Sequence, residues 1–174
     1  MPATYTLISK VTVGSGGAST MQFTSIPQTY TDLKVVISAR NTGTSGNELQ
    51  ILLDINGNSS AGSWRLLYGN SSGVFSGANS GYLQPAHSTT TNTTANTFGN
   101  AEIYFPNYTS TTTNKSFSSD FVTENNSSTA NSAILGFYAN LWSNTNAITS
   151  LTLTSNISNF VQHSTARLYG IKNS

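Results

Sequence analysis

The 174-residue chain has no cysteine, which excludes a disulfide scaffold, a cysteine-ligated metal site and thiol catalysis. Charge is nearly as scarce. Seven Lys and Arg stand against six Asp and Glu, 7% of the chain, where an average soluble domain carries ~25%. The seven cations, Lys10, Lys34, Arg40, Arg65, Lys115, Arg167 and Lys172, are dispersed along the sequence. A phosphate-binding surface needs a concentrated basic patch, so no nucleic-acid partner is expected. No apolar run approaches the ~18 residues of a membrane span. The amino terminus shows no basic-then-apolar leader pattern, and neither membrane insertion nor classical secretion is expected. No segment carries a helical apolar stripe with caps.

What fills the chain instead is Ser, Thr and Asn: 27, 26 and 20 residues, about 42% of the total. Such a composition resembles low complexity, yet 36% of residues are hydrophobic and 10% aromatic. Disordered segments lack the apolar surface that offsets the entropy of ordering; this chain has it, and in a pattern. Thr packs well on a pleated sheet, and Asn, Ser and Gly serve turns.

Period-two alternation is clearest in five segments. Leu33, Val35, Ile37 and Ala39 share a face; so do Leu49, Ile51, Leu53 and Ile55; Ala101, Ile103 and Phe105; Phe117 and Phe121; and Ala133, Leu135, Phe137, Ala139 and Leu141, the last expected as a long inward face. Weaker strands are expected near 5–13, 20–25, 64–68, 81–85, 148–154 and 166–171. Turn chemistry separates them, with Asn56-Gly57 as a tight hairpin and the Ser/Thr/Asn-rich segment 88–97 as an exposed loop or crossover. About ten short strands without helices predict an all-β fold over residues 1–174. That fold is a single two-sheet antiparallel β-sandwich, jelly-roll-like.

Gly69-Asn70-Ser71-Ser72-Gly73 matches the pattern of a hydrolase nucleophile elbow, and Asp120 and His163 follow in hydrolase order. That elbow requires a strand, a sharp turn and a helix on a mainly parallel sheet. With no helix expected, the match is attributed to composition. Asp54-Ile55-Asn56-Gly57-Asn58 spaces oxygen ligands like a calcium loop, but Ser59 and Arg65 stand where that loop needs glycine and glutamate. A strand end followed by an Asn-Gly turn is the favoured reading. His87 and His163 are the only histidines, and neither has a partner at ligand spacing. No catalytic residue, metal site or cofactor is expected, and the chain reads as a non-enzyme.

The aromatics are the remaining candidates. Trp64, Tyr68, Tyr104, Tyr108, Tyr138 and Trp142 can stack on sugar rings or anchor a protein interface. Tyr104 and Tyr138 stand out because each lies opposite the expected inward set of its strand. Core filling is the competing role for each.

Several phrases carry a resemblance across nearly the whole chain: Thr24–Leu33 (TSIPQTYTDL), Arg65–Gly69 (RLLYG), Glu102–Tyr108 (EIYFPNY), Leu141-Trp142-Ser143, Ala147–Leu151 (AITSL) and Leu168–Ile171 (LYGI). They are similar to those of a group of small virion proteins of tailed bacteriophages, common among aquatic phages. The resemblance implies a structural role on the particle, with no catalytic residues to carry over. Its foremost implication is a capsid decoration, or cement, protein on the head surface. Such a protein is made in the host cytoplasm, binds the major capsid protein and assembles as a homo-oligomer, a trimer at threefold positions. A tail-fibre or spike module that binds a receptor or carbohydrate is the alternative implication. Neutral, hydroxyl-rich surfaces suit either role, because their hydration does not depend on salt-screened charge.

Overall fold

The alternating segments fold as strands in the computed structural model, which describes residues 4–126 and 133–172. In chain order they are β1 (Tyr5–Thr12), β2 (Thr20–Phe23), β3 (Asp32–Ala39), β4 (Glu48–Ile55), β5 (Gly62–Asn70), β6 (Gly73–Ser80), β7 (Leu83–Thr89), β8 (Gly99–Phe105), β9 (Lys115–Val122), β10 (Leu135–Trp142), β11 (Leu151–Ser155) and β12 (Thr165–Ile171). No helix occurs among the described residues. Every strand pair is antiparallel.

Two sheets result, β1-β12-β3-β8-β9-β10-β5-β6 and β2-β11-β4-β7. Removing two hairpins makes the design plain. Without β5–β6 and β9–β10, the sheets read β1-β12-β3-β8 and β2-β11-β4-β7, the two four-stranded layers of a jelly roll. The hairpins are insertions, one between β4 and β7 and the other between β8 and β11. They pair with each other through β10 and β5, and with the jelly roll through β8 and β9. One sheet is thereby widened to eight strands.

The jelly-roll core is built from the alternating sets. Leu33, Val35 and Ile37 on β3, Ile103 and Phe105 on β8 and Leu168 on β12 are buried. Facing them are Met21 and Phe23, Ile51, Leu53 and Ile55, and Leu151 and Leu153 from the smaller sheet. Each buried aliphatic or aromatic side chain contributes about 1.5–3 kcal/mol by leaving water. The Asn-Gly turn forms as expected: Asn56 and Gly57 take φ of 54° and 74°. The Ile55 and Asn58 amides each donate to the other's carbonyl, at 3.3 and 3.0 Å, the two-residue turn whose twist matches its strands.

The phrases Thr24–Leu33, Glu102–Tyr108, Ala147–Leu151 and Leu168–Ile171 meet at one end of the sandwich. The Ile26 amide donates to Thr149 O at 3.0 Å. Gln28 Nε2 donates to Ile26 O and Ile148 O, both at 2.9 Å. The Tyr108 hydroxyl donates to Pro27 O. Asp32 accepts from Tyr104 Oη at 2.7 Å and from the Asn107 amide at 2.8 Å. Gly170 gives the Tyr30 ring its seat, since a Cβ there would collide with that ring. Their spacing in sequence thus reflects a shared structural junction.

Two expectations are corrected, and one strand was not foreseen. Strand β10 has the reverse phase: Leu135, Phe137 and Ala139 face solvent, while Gly136, Tyr138, Asn140 and Trp142 are buried. Both faces of this strand are apolar, so hydrophobicity fixes the period and leaves the phase open. Volume decides it, with the largest rings inside and Gly136 leaving room for Phe121, whose ring atoms would lie 2.8 Å from an added Cβ. Segment 88–97 is not simply exposed, because Ser88 and Thr89 belong to β7 and Ser88, Thr89, Thr90 and Thr93 are buried. Finally β6, composed of Gly, Ser, Ala and Asn around Val74 and Phe75, forms a strand that composition concealed.

Candidate interaction surface

The inserted hairpins and β7 enclose three of the six aromatic candidates. Trp64, Tyr138 and Trp142 are buried beneath the widened sheet, and Tyr108 is buried at the junction described above. The surface-contact expectation is therefore corrected for these four. Trp64 and Tyr138 meet edge to face at 5.6 Å between centroids. Tyr138 also lies near Phe121, which stacks on His87 at 4.9 Å. Tyr68, half-buried, stacks on Phe75 at 5.3 Å beyond the cover of β7. Tyr104 alone of the six is exposed, at 40%. Its hydroxyl is committed to Asp32, and that hydrogen bond pushes the phenol up to about 12.

A polar cluster sits between β7 and the extension. Tyr138 Oη lies 2.8 Å from His87 Nε2 and accepts from Gln84 Nε2. Burial holds the His87 imidazolium down to about 4, so the ring is neutral at physiological pH. Trp64 Nε1, His87 Nδ1, Asn140 Nδ2 and Trp142 Nε1 are buried without a hydrogen-bond partner.

The hydrolase-like trio is dispersed. Ser71 lies in the turn of the β5–β6 hairpin, where the elbow would require a helix. Asp120 is exposed on β9. His163 precedes β12, its amide bonded to Val13 O at 3.0 Å. From β12 to β5 the sheet spans five strand spacings, about 24 Å. The calcium-like loop is likewise occupied internally. Asn56 Oδ1 accepts from the Thr149 and Ser150 amides at 2.8 and 3.1 Å, and Asn58 Oδ1 accepts from the Ser60 and Ala61 amides at 3.0 and 3.2 Å.

Two cations are buried without carboxylate partners. Arg40 Nη1 donates to Thr93 Oγ1, Thr94 O and Thr97 O at 3.1, 2.8 and 3.0 Å, and Nη2 donates to Thr93 O at 3.2 Å. Lys115 Nζ donates to the carbonyls of Ser110, Thr113 and Thr145 at 2.8, 2.8 and 3.1 Å. Burial lowers both groups from their usual values. Arg40 gathers the carbonyls of Thr93, Thr94 and Thr97, while Thr90, Thr91 and Asn92 are tied to the carbonyls of Gly43, Thr44 and Gly46. The one ion pair among the described residues joins Lys34 to Glu102.

Strand register now shows what dispersal in sequence hid. One row on the outer face of the large sheet runs Lys10, Arg167, Val36, Glu102, Asp120, Phe137, Leu67, Ser76. A second runs Thr12, Thr165, Ser38, Asn100, Val122, Leu135, Gly69, Val74. Charge collects over β1, β12, β3, β8 and β9; beyond β9 the strands carry one charged residue on this face, the exposed Arg65 of β5 between Ala139 and Ala78, and are otherwise largely apolar. Phe137 stands opposite Leu67, and Leu135 and Val74 flank Gly69 in the next row. Exposures of 59%, 52%, 56% and 75% for Phe137, Leu67, Leu135 and Val74 make this a contiguous apolar patch. Scattered apolar residues at a surface need no explanation, whereas a contiguous group marks an interaction site. No protein-family model, curated protein or solved structure matches the chain.

Proposed function

We propose that this chain is a structural protein of a tailed-phage virion, and that it decorates the head by binding the capsid shell from outside and bridging its subunits. The observation that carries the reading is the apolar patch of Leu67, Val74, Leu135 and Phe137, borne on the inserted hairpins and projecting beyond the jelly roll. A binding surface of this kind works by burying apolar area on a large partner. The name of that partner rests on the sequence phrases similar to phage virion proteins. The interior adds support. Its buried cations are held by carbonyls and a hydroxyl and not by acids, so the fold does not depend strongly on ionic strength. Insensitivity of that kind suits a particle that meets changing salinity.

Quantitative mass spectrometry of purified virions, with labelled imaging of the particle, tests the proposal. A head protein following shell symmetry is present in tens to hundreds of copies, located on the capsid. A count of about three to twelve, located on the tail, overturns the head reading in favour of a fibre or spike module.

A further inference from the structure

We propose that strand β6 pairs edge to edge with β6 of a second copy, joining two molecules into one continuous antiparallel sheet about a twofold axis. Each sheet has two outer strands, β1 and β6 in the large one, β2 and β7 in the small one. Native proteins guard such edges with charge, proline, bulges or shortness, because an open edge recruits other strands. Three of the four carry these guards. Strand β1 holds Lys10 and a register shift between Leu7 and Ser9. Strand β2 is only four residues long. Strand β7 contains Pro85, and its pairing to β4 shifts between Ile51 and Leu53.

Strand β6 has none of them. All eight residues pair with β5 without a register shift, and Gly73–Ser80 includes no charge and no proline. Seven of the eight are exposed, so nothing among the described residues covers this edge. A second copy is the occupant because the chain itself supplies the neutral, regular, exposed strand that such an edge accepts. Antiparallel pairing of β6 with itself sets no like charges opposite each other.

The side chains also suit a twofold axis through Ser76. Val74, Ser76 and Ala78 share the outer face and Phe75 and Gly77 the inner one, the side on which Tyr68 and Trp64 stand. The axis opposes Val74 to Ala78 of the second copy, and Phe75 to its Gly77. Phe75, 41% exposed, then covers a glycine that has no side chain of its own, as aromatic residues do across strands. Val74 stands at the seam, but Leu135, Phe137 and Leu67 lie one or two strands back from it, so pairing leaves these three residues of the apolar patch available to another partner.

The absence of cysteine gives a clean test. Directly opposed residues in such a pair have Cα atoms about 4.5–5.5 Å apart, within disulfide reach. Single-cysteine variants Ser76→Cys and Leu7→Cys, on opposite edges of the sheet, are oxidised under the same conditions. Ser76→Cys is expected to give the linked dimer and Leu7→Cys only monomer. In sedimentation at tens of micromolar the wild type is expected at twice the 18.4 kDa of one chain. Ser76→Lys, which places two ammonium groups at the axis, is expected to weaken the dimer at least about tenfold. At protein concentrations low enough that both proteins are monomeric, its melting temperature matches wild type because position 76 is exposed. A monomeric or trimeric wild type, a Ser76→Lys protein that dimerises normally, or equal cross-linking at positions 7 and 76 overturns the proposal. The outcome is separate from the virion reading. A monomer that coats heads refutes the pairing alone, and a dimer absent from virions refutes the head role alone.

Discussion

The jelly roll and its inserted extension share one eight-stranded sheet, yet they present opposite outer faces. Over the jelly roll that face bears Lys10, Arg167, Lys34 and Glu102, with Asp120 at the border. Over the extension it bears Leu135, Phe137, Leu67 and Val74, with Arg65 its one charged strand residue. Beneath the sheet the contrast recurs in another form. The jelly-roll core is closed by aliphatic and phenylalanine side chains without polar atoms, while the extension covers β7 with Trp64, Tyr138 and Trp142 around polar groups that lack partners. The jelly roll is organised to fold and stay hydrated; the extension gives up some internal satisfaction and exposes apolar surface. In a chain with 7% charge, one end of this face gathers Lys10, Arg167, Lys34, Glu102 and Asp120 while the other carries Arg65 alone, and the two ends differ accordingly in how much apolar surface they leave to water.

The comparison is open to test by substitution, with the largest effect expected in the extension's interior. Trp142→Ala removes a buried ring and leaves its cavity, which costs about 3–5 kcal/mol in equilibrium denaturation. If the extension unfolds by itself, the loss appears as a second transition while the jelly roll melts as before. Next in size is Arg40→Ala, which strands the carbonyls of Thr93, Thr94 and Thr97 around an empty site and costs about 2–3 kcal/mol. Because no carboxylate is involved, its cost is expected to be the same in low and high salt. A marked salt dependence would show that acidic groups contribute to holding Arg40.

A pH titration probes the polar layer between the two regions. The folded His87 value, about 4, lies below the 6.5 of the unfolded chain, so the unfolded state binds the extra proton in that interval. Stability contributed by neutral His87 is complete above pH 6.5 and declines as pH falls toward 4. Denaturation midpoints of wild type and His87→Gln, compared from pH 7.5 to 4.5, should converge as the pH drops. Parallel curves would mean that the ring is not buried as described. Smallest of all, breaking the half-exposed Lys34–Glu102 pair with Lys34→Ala costs less than ~1 kcal/mol, visible in low salt and lost in high.

Much of this organisation was legible in the residues. Alternation marked β3, β4, β8 and β9 with their correct inward faces, and Asn56-Gly57 announced its turn. The failures have physical causes. In β10 apolar residues occupy both faces, so the inward side is chosen by volume and by the gap at Gly136, neither of which follows from hydrophobicity. Strand β6 owes its conformation to pairing with β5, since its Gly, Ser and Asn content favours turns. Thr90 and Thr93 look like loop residues because their burial depends on partners more than forty positions upstream, Gly46 and Asn47 for Thr90 and Arg40 for Thr93. The candidate surface was the least legible part. Lys10, Arg167, Glu102 and Asp120 are far apart in sequence, and only strand register sets them in one row with Phe137 and Leu67.

The central claim is that the extension's apolar face, and not the charged face of the jelly roll, meets the particle. Binding of purified protein to undecorated heads tests it directly, comparing Leu135→Ser/Phe137→Ser with Lys34→Ser/Glu102→Ser. Both pairs lie on the surface and should melt within ~0.5 kcal/mol of wild type. The account predicts at least about a hundredfold weaker binding for the first variant, the loss of two buried apolar anchors, and near wild-type binding for the second. Normal binding by Leu135→Ser/Phe137→Ser, or loss of binding only in Lys34→Ser/Glu102→Ser, would contradict it.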